Sequence, residues 1–323
     1  MPCYRPLLAF HNAEHGAVYW HESQRNGLCK QISLPCGQCI GCRLQRAHEW
    51  ATRCMHEAQL HTENCFITLT YNKEKLQTQS LVHRDYQLCM KRLRNALGRI
   101  KYANAIAISE SLYETADMGL CPIPQLQYYM AGEYGTKTRR PHFHACLFGI
   151  NFADRQYWQR TSSGSKLYIS ATLQNIWPHG FSSIGDVNYE SAAYIARYIM
   201  TKQTGHSASK YYEHVDITTG EITNLKPEYN KMSLRKGIGR DWLKLYLGDV
   251  YPKGTTVRKG GQQTKAPKFY DKIYQAQEPD KYEAMKMDRE TQALEYRSDN
   301  TPERLRTKER VKLASINQLL REL

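Results

Sequence analysis

The chain has 323 residues, of which 41% are hydrophobic and 11% aromatic, so it can bury a sizeable core and wholesale disorder is excluded. Its 45 Lys and Arg outnumber 31 Asp and Glu, and the formal charge of +14 favours a nucleic acid or, less often, an anionic membrane as the partner. No run of about 18 apolar residues and no signal-peptide core occurs, so we expect no membrane association and ten reduced or metal-bound cysteines in the cytoplasm.

Cysteines mark the first part of the chain. Residues 1–35 are rich in His, Tyr and Asn, and we predict an irregular structure for them. Residues 35–39 match the Pro-Cys-x-x-Cys element of zinc deaminases, but the His-x-Glu that those enzymes need does not precede it, so we reject that class. Two-residue gaps between cysteines let thiolates converge on one zinc ion; the alternative is free thiols at the head of a helix. The candidate structural zinc ligands are Cys36, Cys39, Cys42 and either Cys3 or Cys29.

Helices and strands alternate in the middle of the chain. Their order predicts an α+β fold with a central, mostly antiparallel sheet flanked by helices, in which residues 128–150 form a hairpin. We predict helices at 43–61, 82–97, 169–177 and 190–202, and strands at 65–71, 105–109, 128–133, 142–150 and 181–187.

Two histidines stand two residues apart after Pro141. In a strand such residues point to the same face, so His142 and His144 place two imidazoles side by side. Glu133 ends the preceding strand, and the hairpin folds it back beside them. Two His and one Glu suit Mg²⁺ or Mn²⁺ bridging a phosphate, although Zn²⁺ would also fit. The alternative is a pair of histidines that are hydrogen-bonded within the sheet and bind no metal.

A tyrosine pair lies on the last of these helices. Tyr194, Tyr198 and Lys202 follow one another at intervals of four residues, which places them along one helix face. A neighbouring ammonium group can stabilise a phenolate or a phosphorus transition state, so this face is suited to attack on a phosphodiester. The chain contains 23 Tyr, and the alternative is that both rings pack in the core.

Three segments together resemble the motifs of HUH endonucleases, which initiate rolling-circle replication. Phe66–Tyr71 resembles the first motif, a strand of the catalytic sheet, and Pro141–His144 resembles the second, the metal-binding element. Tyr194–Lys202 resembles the third motif, the tyrosine helix, and the order and spacing of the three match. Within that superfamily the chain is most similar to the initiators of gokushovirus-type microviruses, small circular single-stranded DNA phages, through Met1–Tyr4 and Pro35–Arg43.

The resemblance implies an RRM-like catalytic sheet, supports Glu133 as a metal ligand and favours Cys3 as the fourth zinc ligand.

The resemblance also implies a mechanism. A tyrosine attacks a phosphodiester in single-stranded or melted origin DNA, keeps the 5′ end as a phosphotyrosine and frees a 3′-OH that primes synthesis. A second tyrosine can then cut the regenerated origin, and the 3′-OH closes a circle. We predict that Tyr198 makes the first cut because it is closer to Lys202. The chain lacks a P-loop motif, so a host helicase and polymerase would be needed.

A basic tract follows the tyrosine helix. Residues 233–275 include ten Lys or Arg and three Asp, a net charge of +7. Interleaved rings (Trp242, Tyr246, Tyr251 and Phe269) predict DNA binding, because cations follow phosphates and rings stack on bases; the alternative is a solvated basic surface. The candidate DNA-binding residues are Arg197, Arg235, Lys236, Arg240, Lys244, Arg258 and Lys259.

These features divide the chain into four predicted parts. They are a Cys-rich segment and helix at 1–60, the catalytic domain at 61–205, the basic aromatic region at 206–275 and a charged helical arm at 276–323. We expect the arm, whose last helix starts at Pro302, either to pack one stripe of apolar residues or to oligomerise. Two functional alternatives stay open: a non-catalytic nucleic-acid-binding protein, and a metal-dependent phosphodiesterase that uses water.

Overall fold

Strands and flanking helices build the protein, as the α+β prediction requires. The structure is a computed structural model that describes residues 3–12, 14–22, 27–111, 126–135, 138–201, 208–215, 220–258 and 260–318, with only the backbone at 99–111 and 197–201. The strands are β1 (Leu7–Asn12), β2 (Val18–Tyr19), β3 (Cys29–Leu34), β4 (Asn64–Thr70), β5 (Gln127–Tyr134), β6 (Pro141–Phe148), β7 (Gln156–Arg160), β8 (Lys166–Ile169), β9 (Ser182–Gly185), β10 (Glu213–Val215), β11 (Ile222–Asn224), β12 (Tyr229–Met232), β13 (Thr255–Val257) and β14 (Gln263–Lys265). The helices are α1 (Ile40–Ala58), α2 (His83–Ser111), α3 (Ala171–Ile176), α4 (Tyr189–Thr201), α5 (Ala208–Tyr212), α6 (Arg240–Leu245), α7 (Leu247–Val250), α8 (Lys268–Gln277), α9 (Pro279–Glu295) and α10 (Pro302–Asn317).

A seven-stranded antiparallel sheet carries two of the three predicted motifs, and its strand order is β12-β5-β6-β4-β9-β8-β7. The first and second motifs lie on the adjacent strands β4 and β6, and the predicted hairpin is β5–β6. Because β6 is covered on both faces, almost every one of its residues is buried, which explains its nearly continuous apolar sequence.

The two faces of this sheet have different roles. One face packs its apolar side chains, such as Ile67, Leu69 and Phe143, on α2 and α3, and this contact forms the main hydrophobic core. The opposite face carries Phe66, Thr68 and the two histidines of the predicted site, and α4 packs there against β5, β6 and β12. Alternation along β4 therefore separates core residues from site residues.

The chain divides into two compact units. One comprises residues 50–245 and contains the seven-stranded sheet; the other combines residues 1–49 with residues 246–321. The four-part division by composition stays a prediction. The last helix does begin at Pro302, where Thr301 caps its first turn, and in the second unit Leu305 of this helix packs with Tyr4 and Cys39.

Two predictions of local structure are wrong, and three hairpins of the described residues, β7–β8, β10–β11 and β13–β14, are not predicted at all. The described residues of 1–35 form three strands, β2-β1-β3, held by backbone pairing that joins residues as far apart as Leu7 and Leu34 and that composition does not signal. Residues 105–109 continue α2 instead of forming a strand, in keeping with their alanine content. The hairpin β7–β8 is exposed and lacks the apolar alternation of a covered strand. In the described part of the chain, no helix is long and apolar enough to cross a membrane.

Candidate metal centre and tyrosine helix

The register of the β5–β6 hairpin assembles the predicted metal ligands. Glu133 pairs directly with His142, and His144 lies two residues further along β6 on the same face. The Nε2 atoms of His142 and His144 lie 2.5 Å and 2.8 Å from the same Glu133 carboxylate oxygen, Oε1. The structure thus brings together the three predicted ligands from one hairpin. Glu133 and His144 are buried, and His142 is partly buried.

The hydrogen bonds behind the two rings orient them for a cation. His142 Nδ1 lies 3.0 Å from the carbonyl oxygen of Arg140, which can only accept, so Nδ1 carries the proton and a neutral ring presents the Nε2 lone pair. This lone pair faces a carboxylate oxygen, so a proton or a metal ion must lie between them. His144 Nδ1 is bonded to Thr68 Oγ1 at 2.9 Å, and such partners behind a ligating histidine are typical of metal sites.

The carboxylate has room for a further ligand. Glu133 is 2% exposed, and its second oxygen, Oε2, is buried with no hydrogen-bond partner among the described residues. A buried acceptor without a partner is costly unless a cation satisfies it. The residues present therefore fit a divalent metal.

The protonation states also favour metal binding. Burial lowers the pKa of His144, although Glu133 partly offsets this shift, so the ring gives up its proton to a metal ion more readily than a free histidine does. Burial raises the pKa of Glu133, but the histidines outweigh burial and hold the pKa below its usual value. A neutral imidazole and an ionised carboxylate are the ligand forms that a divalent cation needs.

The tyrosine helix begins beside this centre. Asn188 and Ser191 form a reciprocal cap, since Ser191 N donates to Asn188 Oδ1 at 2.7 Å and Asn188 N donates to Ser191 Oγ at 2.9 Å. Asn230 of β12 donates to the carbonyl of Ile195 at 3.1 Å and so ties α4 to the sheet. The Tyr194 ring stands at right angles to His144, with ring centroids 5.1 Å apart. One predicted nucleophile therefore contacts one predicted metal ligand.

Other residues of the third motif are described only in part. The backbone of Arg197 and Tyr198 continues α4, but their side chains lie outside the described residues. Lys202 of this motif lies wholly outside the described residues, and so does Lys259 of the basic tract. Sequence reasoning missed Thr68, although its place in the first motif, opposite a strand with two histidines, was a usable signal.

Four cysteines form a second candidate metal centre. Their Sγ atoms all lie within 4.8 Å of one another, and the fourth member is Cys3, not Cys29. Sγ of Cys3 lies 3.5 Å from that of Cys36 and 3.8 Å from that of Cys39, close to the roughly 3.8 Å that a zinc tetrahedron with bonds of about 2.3 Å requires. The four ligands are Cys3, Cys36, Cys39 and Cys42.

Backbone amides donate to two sulfur atoms of this cluster. Tyr4 N donates to Cys39 Sγ at 3.3 Å, and the amide of Cys36 donates to Cys3 Sγ at 3.2 Å. Burial raises the pKa of Cys39, but hydrogen bonds from amides and neighbouring thiols lower it to about 7, whereas burial raises the pKa of Cys3 and of Cys42. Cys39 is therefore the thiol of this cluster whose pKa favours the metal-binding thiolate near neutral pH.

The basic tract is partly exposed and partly built into the cores of the two units. Four of its predicted DNA-binding cations are exposed, and a Glu57 carboxylate holds their turn by accepting from Gly239 N at 2.6 Å. Two rings predicted to stack on bases are buried instead: Trp242 stacks on His56, and Tyr251 stacks on Tyr274. That part of the interpretation is wrong, because these rings complete hydrophobic packing. The exposed cations are Arg235, Lys236, Arg240 and Lys244, whereas Arg258 is half-buried.

Comparisons with known proteins agree with this geometry. The family described as "Replication-associated protein ORF2/G2P" matches residues 64–204, the span from β4 through the tyrosine helix. Replication-associated protein VP4 of Bdellovibrio phage phiMH2K is 31% identical over 87% of this chain and 80% of its own length. Replication-associated protein ORF2 of Spiroplasma virus 4 is 28% identical over 87% and 83%, respectively. Replication-associated protein ORF4 of Chlamydia phage 1 is 26% identical over 54% of this chain and 40% of its own length.

No solved structure matches the chain. The first two relatives, in contrast, each match 87% of it. These matches therefore extend beyond the three motifs. The chain belongs to the replication-associated proteins of small phages, the microvirus-type rolling-circle initiators that its motifs resemble, and it has a role in the initiation of phage replication.

Proposed function

We propose that this protein nicks single-stranded origin DNA through a tyrosine on α4 and rejoins the ends after replication. The contact between Tyr194 and His144 carries the proposal, because it sets a nucleophile beside a buried Glu-His-His centre. Membership of a replication-associated family supports it, since an initiator needs a 3′-OH in its template.

The chemistry is a transesterification. The tyrosine hydroxyl gives up its proton as its oxygen bonds to phosphorus, the P–O bond to the 3′ oxygen breaks, and that oxygen takes up a proton and leaves as a 3′-OH. Glu133, His142 and His144 would hold Mg²⁺ or Mn²⁺, which polarises a phosphate oxygen when bound. Lys202 stabilises the phenolate or the charged transition state, and the reverse reaction closes a circle.

Two tyrosines allow cutting and joining to alternate. Tyr194 and Tyr198 lie one turn apart on α4, so the second phenol can cut while the first still holds a 5′ end. In our proposal Tyr198 makes the first cut. The exposed cations of the basic tract hold the strand, a host helicase and polymerase extend it, and the four cysteines hold a structural Zn²⁺.

A covalent adduct tests the proposal. The protein is incubated with Mn²⁺ and 3′-labelled single-stranded oligonucleotides that tile the phage origin, and a denaturing gel detects labelled protein. We expect an adduct whose attached residue, identified by peptide mass spectrometry, is Tyr194 or Tyr198. The double variant Tyr194→Phe/Tyr198→Phe should form none, whereas Tyr189→Phe on the same helix should behave like the wild type.

Other outcomes separate the alternatives. Cleavage that leaves a free 5′ phosphate and no adduct would show a hydrolase that uses water. Salt-sensitive DNA binding without cleavage, unaffected by EDTA, would show a binding protein with structural histidines. An adduct formed by the double variant would overturn the tyrosine assignment.

A further inference from the structure

Two exposed aromatic rings lie near one edge of the seven-stranded sheet. Trp158 on the edge strand β7 and Phe181 just before β9 are each 43% exposed. Their ring centroids are 4.8 Å apart, so they form one continuous aromatic surface, here called the aromatic platform. Rings of this size are usually buried, so leaving two of them in solvent together points to a ligand.

The platform faces the same side as the metal centre. Thr70 N donates to the carbonyl of Phe181 at 2.8 Å, and Thr70 also pairs with His142, which pairs with Glu133. Residues that pair directly across antiparallel strands share a face, so one row runs from Phe181 to Glu133. Phe181 is two strands from His142, a distance of roughly 10 Å at the usual strand spacing.

Close backbone contacts hold the platform in place. A Cβ on Gly180 would lie 2.3 Å from Asn72 N and from Thr70 O, so only glycine lets the chain approach β4 here. Trp177 Nε1 also donates to the carbonyl of Thr70, at 3.1 Å. Phe181 is therefore fixed beside β4 before any ligand arrives, which reduces the ordering cost of binding.

The cations of the adjoining hairpin lie on the other face of the sheet, so the platform itself is an uncharged aromatic surface. Arg155 lies over the ring of Tyr168, and Lys166, two residues from Tyr168, pairs with Arg160. Exposed aromatic faces of this kind match the bases of a single strand, because every base has a face that can stack. Continuity with the metal row distinguishes this surface from a general apolar patch.

We infer that Trp158 and Phe181 form a base-stacking platform for the single-stranded DNA that enters the metal centre. This inference rests on the proposed function, because it assigns the strand that reaches that centre. The platform positions one or two bases beside the scissile phosphate and does not take part in the chemistry.

Binding in EDTA tests the platform apart from cleavage. Fluorescence anisotropy measures the affinity of labelled single-stranded oligonucleotides for the full chain. We expect Trp158→Ala/Phe181→Ala to weaken binding by about 5- to 100-fold, the effect of losing a base–aromatic stack. The matched control is Tyr157→Ala, which removes a ring that is 58% exposed on the same strand but pairs on the opposite face; it should bind like the wild type.

An abasic oligonucleotide of the same length separates stacking from misfolding. The wild type should bind it as weakly as the double variant does, because no base is available to stack. Equal losses for normal and abasic strands, or unchanged binding to the normal strand, would overturn the platform, as would a change in self-association alone. If the wild type forms no adduct but the variant still loses affinity, the platform stands and the nicking proposal fails.

Discussion

The two candidate metal centres differ in how completely their ligands enclose an ion. Glu133, His142 and His144 offer three ligands from one hairpin, with a tyrosine ring against one of them. The cysteine cluster offers four thiols, one from the segment before β1, two from the residues just before α1 and one from α1 itself. Three ligands leave a position for substrate, whereas four thiolates complete a tetrahedron.

This difference in enclosure indicates a different role for each of the two candidate metal centres. The hairpin centre resembles a catalytic site, because its ligands are oriented from behind and its carboxylate keeps an unpartnered oxygen. The cysteine cluster resembles a structural site, because Tyr4 and Leu305 pack against its buried member, Cys39. Substitutions at the first centre should therefore change activity, and substitutions at the second should change stability.

The largest effect is expected for Glu133→Gln. The change keeps the shape and removes the charge that holds the cation, so the nicking rate should fall by about 10³- to 10⁴-fold, since metal stabilisation is worth several kcal/mol. A nicking time course measures it. The exposed Glu190→Gln on α4 is the control, and near-normal activity of Glu133→Gln would show that the centre is not catalytic.

The next effect concerns Cys36→Ser. Losing a ligand should remove the zinc and lower the free energy of unfolding by about 3 to 5 kcal/mol, because metal binding is coupled to folding. Elemental analysis should find one zinc per wild-type chain and almost none in the variant. Cys29→Ser should keep its zinc; loss of zinc in that control would place the fourth ligand at Cys29 and not at Cys3.

A smaller effect is expected for Thr68→Val. The isosteric change removes the hydrogen bond to His144 Nδ1, and partners of this kind affect metal affinity or activity by about 10- to 100-fold. Isothermal titration with Mn²⁺ measures the affinity. Thr70 lies on the same strand and face, and no side-chain hydrogen bond joins it to a histidine among the described residues. Equal losses in Thr68→Val and Thr70→Val would therefore refute a specific role for the Thr68 hydroxyl.

The smallest effect is expected for Arg5→Met. Arg5 Nε lies 3.0 Å from Glu309 Oε2, but the Arg5 side chain is largely exposed, so the free energy of unfolding should change by less than about 1 kcal/mol. Chemical denaturation measures the change, and the zinc content should stay at one. Loss of zinc here would mean that the cluster depends on this ion pair and not on its thiolates alone.

Short-range geometry explains what could be predicted from the sequence. Glu133 and His142 belong to one hairpin, and Tyr194 and Tyr198 to one helix, so their spacing alone predicts that each pair shares a face. The α+β class follows from the order of such elements, and the structure confirms it. The resemblance to rolling-circle initiators depends on the same local motifs, and the family match confirms it.

Long-range packing decided the rest. Thr68 reaches His144 across 76 positions of sequence, and Cys3 joins Cys36 across 33, contacts that no local period encodes. Trp242 lies in the core instead of facing DNA, because burial depends on which surfaces the fold brings together. The residue types and local spacing thus determined which chemistry this chain can carry, and the tertiary structure decided which side chains surround the two centres and which rings stay exposed.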